Sequence, residues 1–228
     1  MTQDDIATTE APRTRRAQAK VERRRALIEA TIDSIADSGL SGTTVARVTE
    51  IAGTSIGLAN FHFENKERLF EAVLQHLADT ERAIWQERLA QSAATPADRL
   101  MALIDARFDP RVCNSRTLAV WFAFWGDAGA RSIYRRMVEP TDDARLAAII
   151  AAIESLTAAP DAPLRDAGKT ALGLEAFYDG LWLNMLLYPE DFQRIACRQR
   201  AIEHLVALFP QQFDALQAGA TPLARGAD

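Results

Sequence analysis

Residues Thr43 to Phe70, TTVARVTEIAGTSIGLANFHFENKERLF, compress two short helices, a glycine-marked turn and the start of a third helix into one stretch. Val45, Val48 and Ile51 recur at helical spacing, which predicts a first helix packed on a neighbour and capped by the side-chain oxygen of Thr43 or Thr44. Gly53 then turns the chain. Ser55 is placed to cap a second helix. On it Ile56, Ala59 and Asn60, at i, i+3 and i+4, face one way, away from Leu58 and Phe61. Asn65 opens the third helix.

Working outward, Arg23 to Ser38 (RRRALIEATIDSIADS) carries an apolar stripe of Leu27, Ile28, Ile32 and Ile35, and Gly39-Leu40 ends that helix. The whole span resembles the helix-turn-helix of the TetR family of bacterial transcription regulators. The residues that carry the likeness are Gly39-Leu40, Thr43-Thr44-Val45, Ala52-Gly53, Ser55, Gly57, His62-Phe63, Lys66 and Leu69. Asn60 stands where the family often has Tyr, and Thr54 where Val is usual. The resemblance implies an all-α protein with a three-helix DNA-reading head and a larger helical body that binds a ligand and dimerises. The expected division is a flexible basic arm over residues 1–20, the head over 21–68, the body over 69–213 and a flexible tail over 214–228.

The composition agrees with this reading. The 228 residues suffice for a small head on a larger body, and strand-like alternation and long apolar runs are both missing. No signal-peptide core opens the chain, and two cysteines, Cys113 and Cys197, imply neither a disulfide framework nor a metal cluster. The expected compartment is the cytoplasm, with no membrane partner and no cofactor. No metal-spaced His/Cys set, phosphate-binding glycine loop or nucleophile with a histidine base points to an enzyme.

A formal charge of −5 is unusual for a DNA binder, but the basic residues are concentrated. Arg13, Arg15, Arg16, Lys20, Arg23, Arg24 and Arg25 lie together with Glu22 as the only acid between Ala11 and Arg25. Such a cluster neutralises phosphates and releases counterions. Thr44 and Lys66 suit phosphate oxygens. Asn60 suits adenine N6 and N7, and Ile56 and Ala59 a thymine methyl. His62 matches a phosphate-contacting position of the family. The candidate DNA-contacting set is Arg23, Arg24, Thr43, Thr44, Arg47, Ser55, Ile56, Gly57, Ala59, Asn60, Phe61, His62 and Lys66.

One short recognition helix makes too few contacts for specific binding, so a homodimer on double-stranded operator DNA is expected, its heads roughly 34–36 Å apart. The resemblance implies that the last two long helices, near Leu164–Leu187 and Phe192–Phe209, pair with those of the partner. Ala171, Gly173 and Gly180 would permit close approach. Before them, helices are expected over Glu67–Gln91, Pro96–Phe108, Ser115–Ala128 and Arg131–Leu156, with a kink or split at Pro140 and a frayed end after Phe213.

Two stripes in the body are chemically distinctive. Leu118, Trp121, Phe122 and Trp125 share one helix face, and Glu175, Tyr178, Asp179 and Trp182 share another. Aromatic faces beside carboxylates hold quaternary ammonium groups, although such stripes also suit a core or a dimer interface. Together with Phe108-Asp109, Ala119–Trp125 and Asp179–Leu183, they resemble the BetI-type branch of the family, which implies repression relieved by choline or a related methylated cation. The candidate ligand site is Trp121, Phe122, Trp125, Tyr178 and Trp182 as walls, Asp179 or Glu175 as counter-charge, and Phe108, Asp109 and Tyr134 nearby. Arg131, Arg135 and Arg136 are the expected internal competitors for the acids. An apolar drug or an acyl thioester is the alternative inducer.

Overall fold

The computed structural model describes residues 12–92, 95–158, 166–212 and 214–216. Among these the protein is all α-helical: α1 (Pro12–Gly42), α2 (Val45–Ile51), α3 (Ile56–Phe63), α4 (Lys66–Gln91), α5 (Pro96–Arg107), α6 (Ser115–Gly126), α7 (Arg131–Leu156), α8 (Ala167–Leu187) and α9 (Arg194–Leu208). No helix among the described residues is long and apolar enough to cross a membrane, and no group of His, Cys, Asp and Glu there could hold a metal.

In the head, α1 buries Leu27, Ile28, Ile32 and Ile35 as one stripe. Regular helix ends where Gly39 takes φ 68°, a conformation that costs an L side chain more than it costs glycine. Thr44 caps α2, its hydroxyl accepting from the Arg47 N–H at 3.2 Å. Gly53, at φ 61°, turns the chain. Ser55 then caps α3 and Asn65 caps α4. Helix α4 leaves the head and packs on α5 and α7, while α1 lies along α6, so two helices join head to body.

Several expectations need correction. Helix α1 begins at Pro12, inside the stretch expected as a flexible arm; residues 1–11 of that arm lie outside the described residues. Ile51, expected to pack, is exposed. Helix α7 continues through Pro140, which sits on its exposed side. Leu216 is fully buried, so the chain does not fray directly after Phe213; residues 217–228 lie outside the described set. The Ala158–Pro163 stretch, whose prolines mark a break between helices, lies outside it from residue 159 onward.

Candidate functional site

The exposed face of α3 differs from the one expected. Ala59 is 3% exposed and belongs to the core, whereas Ile56 is 49% and Phe61 69% exposed. Asn60 and Gly57 are exposed with them. The outer face is therefore Ile56, Gly57, Asn60 and Phe61, and Ala59 cannot reach a base. A helix of only two turns that buries just Ala59 and Phe63 has a narrow inner strip, which spacing alone does not locate.

Other head residues are held internally. Thr43 is buried, its hydroxyl donating to the Gly39 carbonyl at 2.9 Å and accepting from Ser34 at 3.0 Å; it locks the α1–α2 corner and is unavailable to phosphate. Lys66 Nζ donates to the Leu40 carbonyl at 2.9 Å and lies 5.0 Å from the Phe70 ring centre. Arg47 pairs with Asp37. Lys20 sits 5.4 Å from the Phe61 ring and Arg24 5.0 Å from Phe63, so the basic part of α1 rides over the end of α3. Arg23 is exposed. Burial, then the positive charges of Lys20, Arg24 and Arg23, hold His62 below the usual histidine range, which favours its neutral form.

In the body, a cavity of about 190 Å³ is walled by Trp121, Trp125, Tyr134, Glu175, Asp179 and Trp182 from the expected set. Tyr134 meets Trp121 edge-to-face at 6.0 Å and Trp125 at 6.1 Å, so its ring stands roughly perpendicular to both indoles. The remaining expected residues lie elsewhere. Phe122 packs behind Trp125 at 4.9 Å. Phe108 and Tyr178 pack on each other in the core at 6.3 Å. Asp109 binds Arg88 and Arg111, which hold its carboxyl well below the usual range despite burial.

The cavity also uses residues that helix-face arithmetic does not flag: Glu81, Arg107, Asp142, Asp143, Arg145, Leu146 and Leu172. Arg145 bonds Glu81 at 2.7 Å, Asp142 at 3.1 Å and Glu175 at 2.6 Å. Arg107 bonds Glu81 at 3.1 Å and pairs with Asp179. These two arginines, not Arg131, Arg135 or Arg136, compensate the acids; Arg136 instead pairs with Glu71. Arg107 also stacks 3.8 Å from the Trp182 ring centre, so that indole face is already taken by an internal cation. Trp182 Nε1 donates to the Arg107 carbonyl at 3.0 Å.

Among the described residues, two guanidiniums thus serve four carboxylates, Glu81, Asp142, Glu175 and Asp179. Burial raises the pKa of Asp142 and of Asp179, against the pull of Arg145 on the first and Arg107 on the second. Glu175 is held low by Arg107 and Arg145, which outweigh its burial. A cluster short of positive charge beside three aromatic rings is chemically matched to a compact organic cation. A more open cleft between head and body, bordered by Arg24, His62, Arg68, Glu71 and Met137, lacks this enclosure.

Comparison with known proteins follows the same division. The chain matches the model for bacterial regulatory proteins of the tetR family over residues 27–73, and that for the BetI-type transcriptional repressor C-terminal domain over residues 96–210. It is 36% identical over 184 residues to the HTH-type transcriptional regulator BetI of Burkholderia thailandensis, covering 80% of this chain and 91% of the relative. Against the protein of that name from Paraburkholderia phymatum it is 34% identical over 190 residues, covering 83% and 94%. Among solved structures, a transcriptional regulator from Pseudomonas aeruginosa PAO1 superposes with a TM-score of 0.72 at 23% identity, over 92% of this chain and 98% of that one. A regulator from Saccharomonospora viridis, solved in complex with choline, gives 0.66 at 20% identity over 82% and 96%.

Proposed function

The chain belongs to the TetR family and is a BetI-type transcriptional repressor rather than an enzyme, and on that premise we propose that choline or a related quaternary ammonium compound enters the Trp121–Tyr134–Trp125 cavity and releases the repressor from its operator. The observation that carries this reading is the charge imbalance, four carboxylates sharing two arginines, against three aromatic rings. An apolar drug or an acyl chain would leave that deficit uncompensated. That a protein of this fold was solved with choline supports the reading only at the level of fold.

Members of this family bind operator DNA as dimers. For this chain we assign the pairing surface to α8 and α9, where Leu183, Leu187 and Ile195 are exposed. Gly173 and Gly180 have open space over their Cα atoms, which suits a close partner helix. Ala171 is fully buried within its own protomer and takes no part. In the head, Ile56, Gly57, Asn60 and Phe61 face the major groove, with Thr44, Ser55, Arg23, Arg24 and Arg47 near the backbone. Such a protein works in the cytoplasm, beside the DNA it reads.

Release requires that ligand prefer the body conformation whose heads do not match adjacent half-sites. The test follows tryptophan fluorescence during titration with choline, glycine betaine and an uncharged isosteric alcohol, then repeats it with operator DNA. Saturable change with the cations and weakened DNA binding is the expected result. Equal response to the alcohol, or none to any cation, would sink the cation assignment while leaving the repressor intact.

A further inference from the structure

A second cavity, about 310 Å³, opens between the N-terminal ends of α6 and α9 and shares no lining residue with the first. Its wall includes Arg194, only 6% exposed. Arg194 Nη1 donates to the Phe108 carbonyl at 3.1 Å, and among the described residues Nη2 has no acceptor and no ion pair involves this guanidinium. That sets it apart from the other buried arginines. Arg107 and Arg145 bind the carboxylates of the first cavity, and Arg198 bonds Asp105 at 2.7 and 3.0 Å. A buried cation without a counter-charge is costly, and a hydrogen-bonded anion relieves that cost.

We propose that this cavity binds a small organic monocarboxylate, its carboxylate on Arg194 and its apolar chain against Pro110, Met185 and Phe192. The single cation matches one negative charge, and the apolar lining favours a hydrocarbon tail over a doubly charged phosphate. At the mouth of α9 the N-cap residue Gln193 makes no side-chain cap bond, so that helix start also lacks a side-chain acceptor. The volume lies at the lower end of the range for small-molecule sites.

Calorimetric titration of the full chain with sodium hexanoate, at constant ionic strength and beside hexan-1-ol and sodium chloride, tests the assignment. Hexanoate is expected to bind saturably and hexan-1-ol at least about tenfold more weakly. Arg194→Gln should weaken hexanoate by about ten- to a hundredfold, the value of a charge-assisted hydrogen bond. Met185→Trp, which fills the cavity from the apolar side, should abolish it, and Trp125→Ala should leave it unchanged. Equal binding of acid and alcohol, retention of hexanoate by Met185→Trp, or no saturable binding would overturn the proposal. The acid-against-alcohol comparison decides even where a variant fails to fold.

Discussion

Arg116, at the start of α6, donates from Nη2 to the Glu29 carboxylate at 3.0 Å and to the Glu29 main-chain carbonyl at 2.9 Å, so the helix that carries Trp121 and Trp125 is also fastened to α1 of the head. Its Nε binds Asp33 one turn further on, and His76 of α4 lies 3.3 Å from the same Glu29. The aromatic wall and the head clamp therefore share one rigid element two to three turns long.

Arg116→Met should cut that link. The expected outcome is choline affinity within about twofold of the parent and a choline-induced loss of operator affinity shrunk to less than about fivefold, the lower end of ordinary allosteric coupling. Operator binding with and without choline measures it; an undiminished ligand response would mean that α4 alone carries the signal.

The rings separate ligand binding from stability. Trp125→Ala, at the partly exposed edge of the box, should lower choline affinity about tenfold or more with little change in melting. Trp182→Ala should instead destabilise the fold by about 3–5 kcal/mol, because this buried indole supports Arg107 by stacking and by its N–H bond. Thermal melts beside ligand titrations distinguish the two.

Acid should weaken choline binding before it threatens the fold. Burial raises Asp142 and Asp179 above the ordinary aspartate value of about 3.9, and the ligand cation prefers their ionised forms. Affinity is complete above the raised values and falls as pH drops through them, a loss that begins above the pH expected of an ordinary aspartate. A raised carboxyl pKa favours the folded chain as it protonates, so these two groups do not drive unfolding there. Calorimetry as the pH is lowered from neutrality toward the ordinary aspartate value of about 3.9, with circular dichroism alongside, reads both effects.

Arg145→Met tests the buried charge network. Removing this guanidinium strips Glu81, Asp142 and Glu175 of a shared partner, and the expected cost is about 3–5 kcal/mol in denaturant unfolding. A cost below about 1 kcal/mol would show that the carboxylates protonate at little expense.

In the head, Phe61→Ala and Asn60→Ala should each weaken operator binding by about 1–3 kcal/mol. Arg23→Ala should lower the slope of log affinity against log salt by about one. Lys66→Met should lower that slope by less than Arg23→Ala, because one of its three N–H donors is held by the Leu40 carbonyl. Binding measured across salt concentrations separates base-reading, phosphate-contacting and structural roles.

Local chemistry written into the sequence marked the starts of α2, α3 and α4 and the turns between them. Thr44, Ser55 and Asn65 cap the helices they precede, Gly39 and Gly53 supply left-handed turns, and the stripe on α1 names its own buried face. These features act over a few residues, so spacing reveals them. The Trp121, Trp125 and Asp179 part of the cavity was also legible, because helical periodicity puts such residues on shared faces. Which acids and bases meet there was not: Arg107 reaches Glu81 across 26 positions and Arg145 reaches it across 64. Long side chains from α4, α5, α7 and α8 converge only once the helices have packed. For the same reason the tertiary structure alone decided that Ala59 turns inward, that Lys66 donates to a carbonyl, and that Arg194 has no counter-charge among the described residues.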